Sequence, residues 1–470
     1  MSDPTWISIL PPVLAIVLAI WTRQVYLSLA AGIWIGWTIL EGWNPFSGLG
    51  TSIAETVDVL ASTSNANVIL FTLVIGALIA TIETSGGVKG FVEYLESREW
   101  VNTPRRAQAL AWVTGVIIFI ESNITVLVAG AVSRPLFDRF RVSREKLAYL
   151  IDSTSAAVCI LIPLNAWGAY NLGILEGLGV ENALGVFVGA IPFNFYALAA
   201  LFLAGATVVW RLDLGPMAKA EKRTQEGEVL WPEAQPMIDE GILSPEPNDR
   251  IPPRAFNMVL PIVTMVVMMP VGLWITGQGD IRAGSGATSV LWAVLAALAM
   301  SWVLLLAQRA STVDELTRVA LKGAGGLSPL ALILLLALAL GDVARALGTG
   351  DYVAGITADV LPPVVFLPLV FLASAGIAFA TGTSWGTFAI MIPIAVPAAI
   401  SLGLPPSPFL AAVLSGGIFG DHSSPISDTT IISSMAAATD HIDHVRTQLP
   451  YAMTAAAVAT AGFAGVGYFM

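Results

Sequence analysis

The sequence predicts an all-α polytopic membrane protein built from two inverted repeats, each carrying a re-entrant hairpin and a broken helix. Three observations predict this. Of 470 residues, 56% are apolar and only 12% charged, about half the roughly 25% charge of a soluble globular chain. The charge is also segregated: segments 84–106, 134–146 and 211–254 hold 29 of the 55 charged residues. Finally, the order of apolar runs and polar breaks in the first half of the chain returns in the second.

A helix crosses the hydrocarbon core in about 20 residues. Runs of that kind fall at 6–22, 25–40, 66–83, 147–170, 182–210, 255–276, 287–307, 328–347, 408–438 and 450–470. The first has neither a basic n-region nor a small-residue cleavage site, so it reads as a mature span. Two longer stretches, 107–138 and 364–402, are interrupted by Glu121-Ser122-Asn123 and by Thr381-Gly382-Thr383-Ser384. Each half is expected to be too short to cross alone, which makes both stretches re-entrant hairpins with polar tips. Segments 46–62 and 309–322 read as interfacial amphipathic helices. Segment 211–254, with seven prolines and 15 charges, reads as a linker that cannot bury a core.

If both hairpins return to their own side, one face collects 20 of the 22 basic residues, all but Arg282 and Arg345. The positive-inside rule makes that face cytoplasmic and puts both termini outside, in a cell membrane. The 14 tryptophans, several near span ends, fit interfacial anchoring. The chain then divides into scaffold spans 1–45, repeat 46–210, linker 211–254, scaffold spans 255–308 and repeat 309–470. The first hairpin enters from inside and the second from outside, so the repeats are inverted. Such repeats, with discontinuous helices at the midplane, are the architecture of many secondary transporters.

The most unusual stretch is Gly420-Asp421-His422-Ser423-Ser424-Pro425-Ile426-Ser427-Asp428-Thr429-Thr430, inside an apolar run. Ionisable groups at membrane depth are costly and mark function. Pro425 should break the helix there and free carbonyls as ligands. Carbonyls, hydroxyls and carboxylates together form the hard oxygen set that suits a hard cation. The first-repeat counterpart is Asp152-Ser153-Thr154-Ser155, which lies 269 residues earlier than Asp421-His422-Ser423-Ser424.

The string from Gly420 to Ser434, with Thr381 to Thr387, resembles the NhaC-type sodium/proton antiporter family, within a superfamily of elevator carriers. The tip Ser122-Asn123-Ile124-Thr125 is similar to that superfamily's Ser-Asn-Thr tip, with Ile124 inserted. The resemblance implies sodium as the transported ion, protons as the counter-substrate, no cofactor, and an elevator mechanism. With the repeat symmetry it implies that Asp152 pairs with the first tip and Asp421 with Thr383 and Ser384 of the second. The expected ion and proton site is therefore Glu121, Ser122, Asn123, Thr125, Asp152, Ser153, Thr154, Thr383, Ser384, Asp421, His422, Ser423, Ser424, Ser427, Asp428 and Thr429, with sodium on Asp421, Ser424, Asp428, Asp152 and Asn123. A carboxylate stripped of water holds either sodium or a proton, and that competition gives antiport. Elevator carriers often pair through a fixed scaffold, so a homodimer through 6–40 or 255–307 is expected.

Other signals weigh less. Asp440-His441-Ile442-Asp443-His444 reads as a solvated turn in a cytoplasmic loop, and Asp342 with Arg345 reads as a structural ion pair. The single cysteine, Cys159, excludes a disulfide framework, and the net charge of −11 argues against nucleic acid. Two alternatives to sodium/proton exchange remain. One is a sodium- or proton-coupled exchanger of an organic acid or amino acid, although neither tip carries an arginine. The other is an intramembrane aspartyl protease using Asp152 and Asp421 as a dyad, although Ile418 stands where the protease pattern needs glycine.

Overall fold

The computed structural model describes residues 5–22, 24–96, 101–119, 122–163, 165–236, 252–280, 284–360 and 362–470. Among these residues the chain is helical throughout, with one isolated bridge between Pro236 and Asp440. Seven helices are long and apolar enough to cross a membrane, or up to nine if each bent pair is one span. The expected spans recur as Leu10–Thr22, Val25–Leu40, Thr63–Thr84, Phe256–Thr276, Gly286–Ala307, Ser328–Ala346 and His441–Tyr468. The amphipathic segments are Pro45–Asp58 and Val313–Gly326, and each begins with a side-chain cap, Asn44 and Thr312. Run 182–210 departs from expectation. It is two helices, ending at Phe193 and beginning again at Phe195, that bend by 45° at Asn194.

Both breaks expected at membrane depth are present. The first broken helix is Arg144–Cys159 followed by Ala166–Gly177, and the second is Pro406–Ser423 followed by Asp428–Ala437. Hairpin one has legs Pro104–Ile117 and Ser122–Arg139, and hairpin two has legs Pro363–Thr381 and Ser384–Ser401. The expectation that every leg is too short to cross is corrected for hairpin two. Its legs stay helical to the last residue of the run and reach 19 and 18 residues, about 28 Å at 1.5 Å per residue. The tip nevertheless meets the broken helix: Gly382, at φ 70, lies so close to Ile426 that a Cβ there would sit 2.6 Å from its carbonyl oxygen. Only glycine takes that left-handed backbone at no steric cost.

The repeat extends further than the sequence suggested. Each half begins with a helix pair, Leu10–Thr22 with Val25–Leu40 and Phe256–Thr276 with Gly286–Ala307, before its amphipathic helix. Each pair packs on the other repeat, Val25–Leu40 against Ser328–Ala346 and Gly286–Ala307 against Thr63–Thr84. The broken helices interleave in the same way. Asp428–Ala437 packs on Ser122–Arg139 and Arg144–Cys159, while Ala166–Gly177 meets Ser384–Ser401. An aromatic cluster holds that second contact, with Trp167 4.5 Å and Tyr170 4.9 Å from Trp385 between ring centroids.

The linker is more than a tether. Residues Pro216–Gln225 form a helix that buries Met217 and Ala220. Its Arg223 makes two bonds, of 2.8 and 3.0 Å, to the buried carboxylate of Glu145, and Glu221 accepts from Ser143 N and Oγ at 2.8 and 2.6 Å. Lys146 lies 2.7 Å from Asp213. Charged residues that looked solvated in the sequence thus find partners on the head of the first broken helix. The Asp342–Arg345 pair forms as expected, at 3.4 Å.

Candidate functional site

Each hairpin tip is fastened to the break of its own repeat. At the first, Asn165 Nδ2 donates to the carbonyls of Phe119 and Cys159 at 2.9 and 2.8 Å, while its Oδ1 accepts from Gly168 N. That one side chain caps Ala166–Gly177 and holds the hairpin, satisfying backbone groups that the break exposes. Thr125 Oγ1 donates to the Ile118 carbonyl, and Ser122 is buried beside it. At the second, Ser424 Oγ donates to the Phe379 carbonyl at 2.8 Å. The hydroxyl expected to bind sodium is therefore spent on joining the break to the hairpin.

Asp421 is the centre of an oxygen cluster. Its Oδ2 accepts from Ser384 Oγ at 2.8 Å, and its Oδ1 from Ser427 Oγ at 2.5 Å and Thr429 Oγ1 at 3.4 Å. These donors come from the hairpin tip and from the far side of the break, so three separate chain segments meet on one buried carboxylate. Ser427 and Thr429 also bond each other at 3.0 Å. Thr383 is not part of the cluster; its carbonyl accepts from Thr387 Oγ1. Ser423 turns to the Phe419 carbonyl. Asp428 is exposed, with Oδ1 accepting from Thr429 N at 3.0 Å.

Asp152 lies in different surroundings. Its Oδ2 accepts from Gln448 Nε2 at 2.7 Å and is 3.9 Å from Nε2 of both His422 and His444. His422 is fully engaged, with Nδ1 2.6 Å from Tyr196 Oη and Nε2 3.1 Å from Ser153 Oγ. Thr154 bonds the Leu150 carbonyl within its own helix. Glu121 and the side chain of Asn123 lie outside the described residues. Among the described residues, no lysine or arginine bonds or pairs with Asp421 or Asp152.

The solvated-turn reading of Asp440 to His444 is corrected. His444 is buried and bonds Ser434 Oγ and Gln448 Oε1, both at 2.8 Å. The helix begins at His441 rather than 450 and carries His444 and Gln448 inward together, four residues apart on one face. Gln448 and Tyr196 were absent from the expected site. Gln448 lies in the polar stretch before the run at 450–470 and Tyr196 is one aromatic inside the run 182–210, and neither position stands out in the sequence.

Residues 158–468 match the family model described as Na+/H+ antiporter family. The chain belongs to the Na+/H+ antiporter family. That span covers the second hairpin, the second broken helix and Gln448, and begins after Asp152. An uncharacterized protein of Haemophilus influenzae is 34% identical over 99% of this chain and 92% of its own length. The arginine/ornithine antiporter ArcD of Halobacterium salinarum is 30% identical over 46% of this chain and 42% of its own. Among solved structures, the YdaH transporter of Alcanivorax borkumensis aligns with a TM-score of 0.57 at 14% identity, covering 97% of this chain and 98% of that one. That likeness concerns the fold alone. The family and the apolar helices make this chain a multi-pass membrane antiporter, and the protease alternative is set aside.

Proposed function

We propose that the protein exchanges sodium for protons across the cell membrane by alternating access, with sodium held at Asp421 and the proton at Asp152. The observation that carries this reading is the Asp421 cluster. A carboxylate and three hydroxyls from the hairpin tip and both sides of the break are hard oxygens of the kind a small cation takes. A hydroxyl that donates to the carboxylate can rotate and present its lone pair to the ion. Asp152 instead meets an amide and two imidazoles, groups that hand protons on or hold a protonated carboxyl in place. This reading narrows the expected sodium set, leaving Ser424 as a fastener and Asp152 as the proton partner.

Sodium at Asp421 draws Ser384 and Ser427 together and closes the second tip on its break. When the ion leaves, the tip is free to part from the break, and a proton taken up by Asp152 offsets one of the two buried negative charges. The side bearing the linker and Asp440 is cytoplasmic in this reading, and a homodimer through the 256–307 pair belongs to it. A second reading rests on neither carboxylate having a basic partner among the described residues. An ammonium or guanidinium group would suit them as sodium does, and ArcD is named as an arginine/ornithine antiporter. The test is proton flux from acid-loaded proteoliposomes on adding sodium, lithium, potassium, arginine or ornithine in turn. Flux with sodium supports the first reading, and flux with only the amino acids replaces it by the second.

A further inference from the structure

Gln448 fixes the direction of a hydrogen-bonded chain that leads away from Asp152. Its Nε2 faces two acceptors, Asp152 Oδ2 at 2.7 Å and the His422 carbonyl at 2.5 Å. The amide oxygen therefore points the other way, to His444 Nε2 at 2.8 Å, and His444 must carry a hydrogen on Nε2. At the other end, His441 Nε2 lies 2.7 Å from the Pro425 carbonyl, which only accepts. His441 must also carry a hydrogen on Nε2. Both rings then turn Nδ1 to the same hydroxyl, Ser434 Oγ, at 3.0 Å from His441 and 2.8 Å from His444.

A neutral imidazole with its hydrogen on Nε2 has only a lone pair on Nδ1. Two lone pairs thus face Ser434, whose Oγ also donates to the Thr430 carbonyl at 2.8 Å, a third acceptor for its one hydrogen. One hydrogen cannot serve both rings. A single added proton relieves the conflict between the rings: His441 Nδ1–H donates to Ser434 Oγ, and Ser434 O–H turns from the Thr430 carbonyl to His444 Nδ1. We infer that His441, Ser434 and His444 form a proton-loading relay between water and Asp152. The relay rests on the reading of Asp152 as the proton site.

The steps balance. His441 is half-buried, and an open cavity of about 670 Å³ is lined by Asp440, Ile442 and Asp443 but not by His441 itself, so its ring must turn Nδ1 out from Ser434 to take a proton from water. That proton passes to Ser434 Oγ as the serine's own hydrogen passes to His444 Nδ1. His444 then holds both hydrogens and releases the one on Nε2 to Asp152 Oδ2, 3.9 Å away, once Gln448 lets go. Water gives up one proton and Asp152 gains one, while His441 ends as it began. His444 is left with its hydrogen on Nδ1, and the ring must turn over, or the transfer reverse, before the next cycle.

The helices packed on this one carry charges of both signs, Arg144 and Lys146 among them. From the helices packed on this one come Asp152, Asp421 with His422, and Asp428, while Glu145 is already held by Arg223 of the linker. Asp440, Asp443 and Arg446 stand on the relay's own helix, and Lys219 lines the cavity mouth. Tyr149 and Tyr196 are buried neighbours, and helix Pro363–Thr381 contributes no titratable group.

The full-length protein in proteoliposomes separates the relay from the sodium site. Sodium self-exchange, followed with radioactive sodium, needs no proton, whereas sodium-driven proton flux does. His441→Ala should keep self-exchange within about twofold, slow sodium–proton exchange at least tenfold, and regain speed when imidazole is added. Equal loss of both fluxes, or no loss of either, would overturn the relay. Asp421→Asn is the control and should stop both; if both survive it, the sodium assignment fails whatever His441 does. A second measurement does not depend on transport. Nitrogen NMR of the three histidines should show one ring carrying both hydrogens at neutral pH, lost in His441→Gln. Three singly protonated rings in the wild-type protein would also overturn the proposal.

Discussion

Ser384 Oγ donates to Asp421 Oδ2 at 2.8 Å, and that bond joins the tip of the second hairpin to the buried end of the second broken helix. In the proposed mechanism, closure of the tip and sodium binding at the carboxylate are coupled through this one hydroxyl. A hydrogen bond to a charged group contributes about 1.5–3 kcal/mol. Ser384→Ala is expected to raise the sodium concentration for half-maximal proton flux about tenfold or more. Ser384→Thr keeps the hydroxyl and should lose far less. Flux titrated against sodium for the three proteins checks this.

Gln448 offers a contrast, because its amide serves the protein before any ion. It donates to Asp152 and to the His422 carbonyl, and accepts from His444. Gln448→Leu strands these buried groups, each at a cost of about 1–3 kcal/mol. The expected result is a lower melting temperature in detergent as well as slow exchange. A variant that melts normally would show that water replaces the amide.

Glu145 is fully buried and paired with Arg223, itself only 4% exposed. Removing one partner of such a pair typically costs about 3–5 kcal/mol, whereas replacing both by apolar residues is often neutral. Arg223→Leu should therefore destabilise strongly, and Glu145→Leu added to it should recover most of the loss. Thermal unfolding of the single and double variants measures this. No recovery would mean that the linker helix is held by other contacts.

Glu315 gives a pH dependence outside the membrane. The backbone N–H of Thr312, then the hydroxyls of Ser311 and Thr312, hold its carboxyl below the ordinary value of 4.5. A depressed value means that the cap is fully present above 4.5 and is lost as pH falls through the lower folded value. Amide exchange at the start of helix Val313–Gly326 should be slow at neutral pH and speed up, relative to intrinsic rates, only in that acid range. Glu315→Gln should flatten the dependence.

The legible parts of the fold were those written in hydropathy and in breaks. Pro425 and the polar run around it announced the second break, and Asp152 announced the first through its spacing from Asp421. The length of the second hairpin's legs was misjudged because Thr381 and Ser384 looked like a wide polar gap, yet the helices continue to both residues. His444 reads as solvated in the sequence because the apolar run starts only at 450 and leaves it in the expected cytoplasmic loop. Local polarity does not reveal which face of a helix turns inward, and that choice is made by packing on Arg144–Cys159 and Asp428–Ala437. Gln448 was missed for the same reason. The linker's charges looked like solvent-exposed disorder until Glu145, Lys146 and Ser143 supplied their partners.

The most direct measurement of the central claim is sodium-driven proton flux in proteoliposomes, compared between the wild-type protein, Asp421→Asn and Asp152→Asn. Sodium alone among the alkali cations should collapse an inside-acid gradient in the wild type. Asp421→Asn should abolish both that flux and sodium self-exchange, while Asp152→Asn should abolish the proton flux and spare sodium self-exchange. Normal proton flux in Asp421→Asn, or loss of sodium self-exchange in Asp152→Asn, would contradict the division of sodium and proton between the two carboxylates.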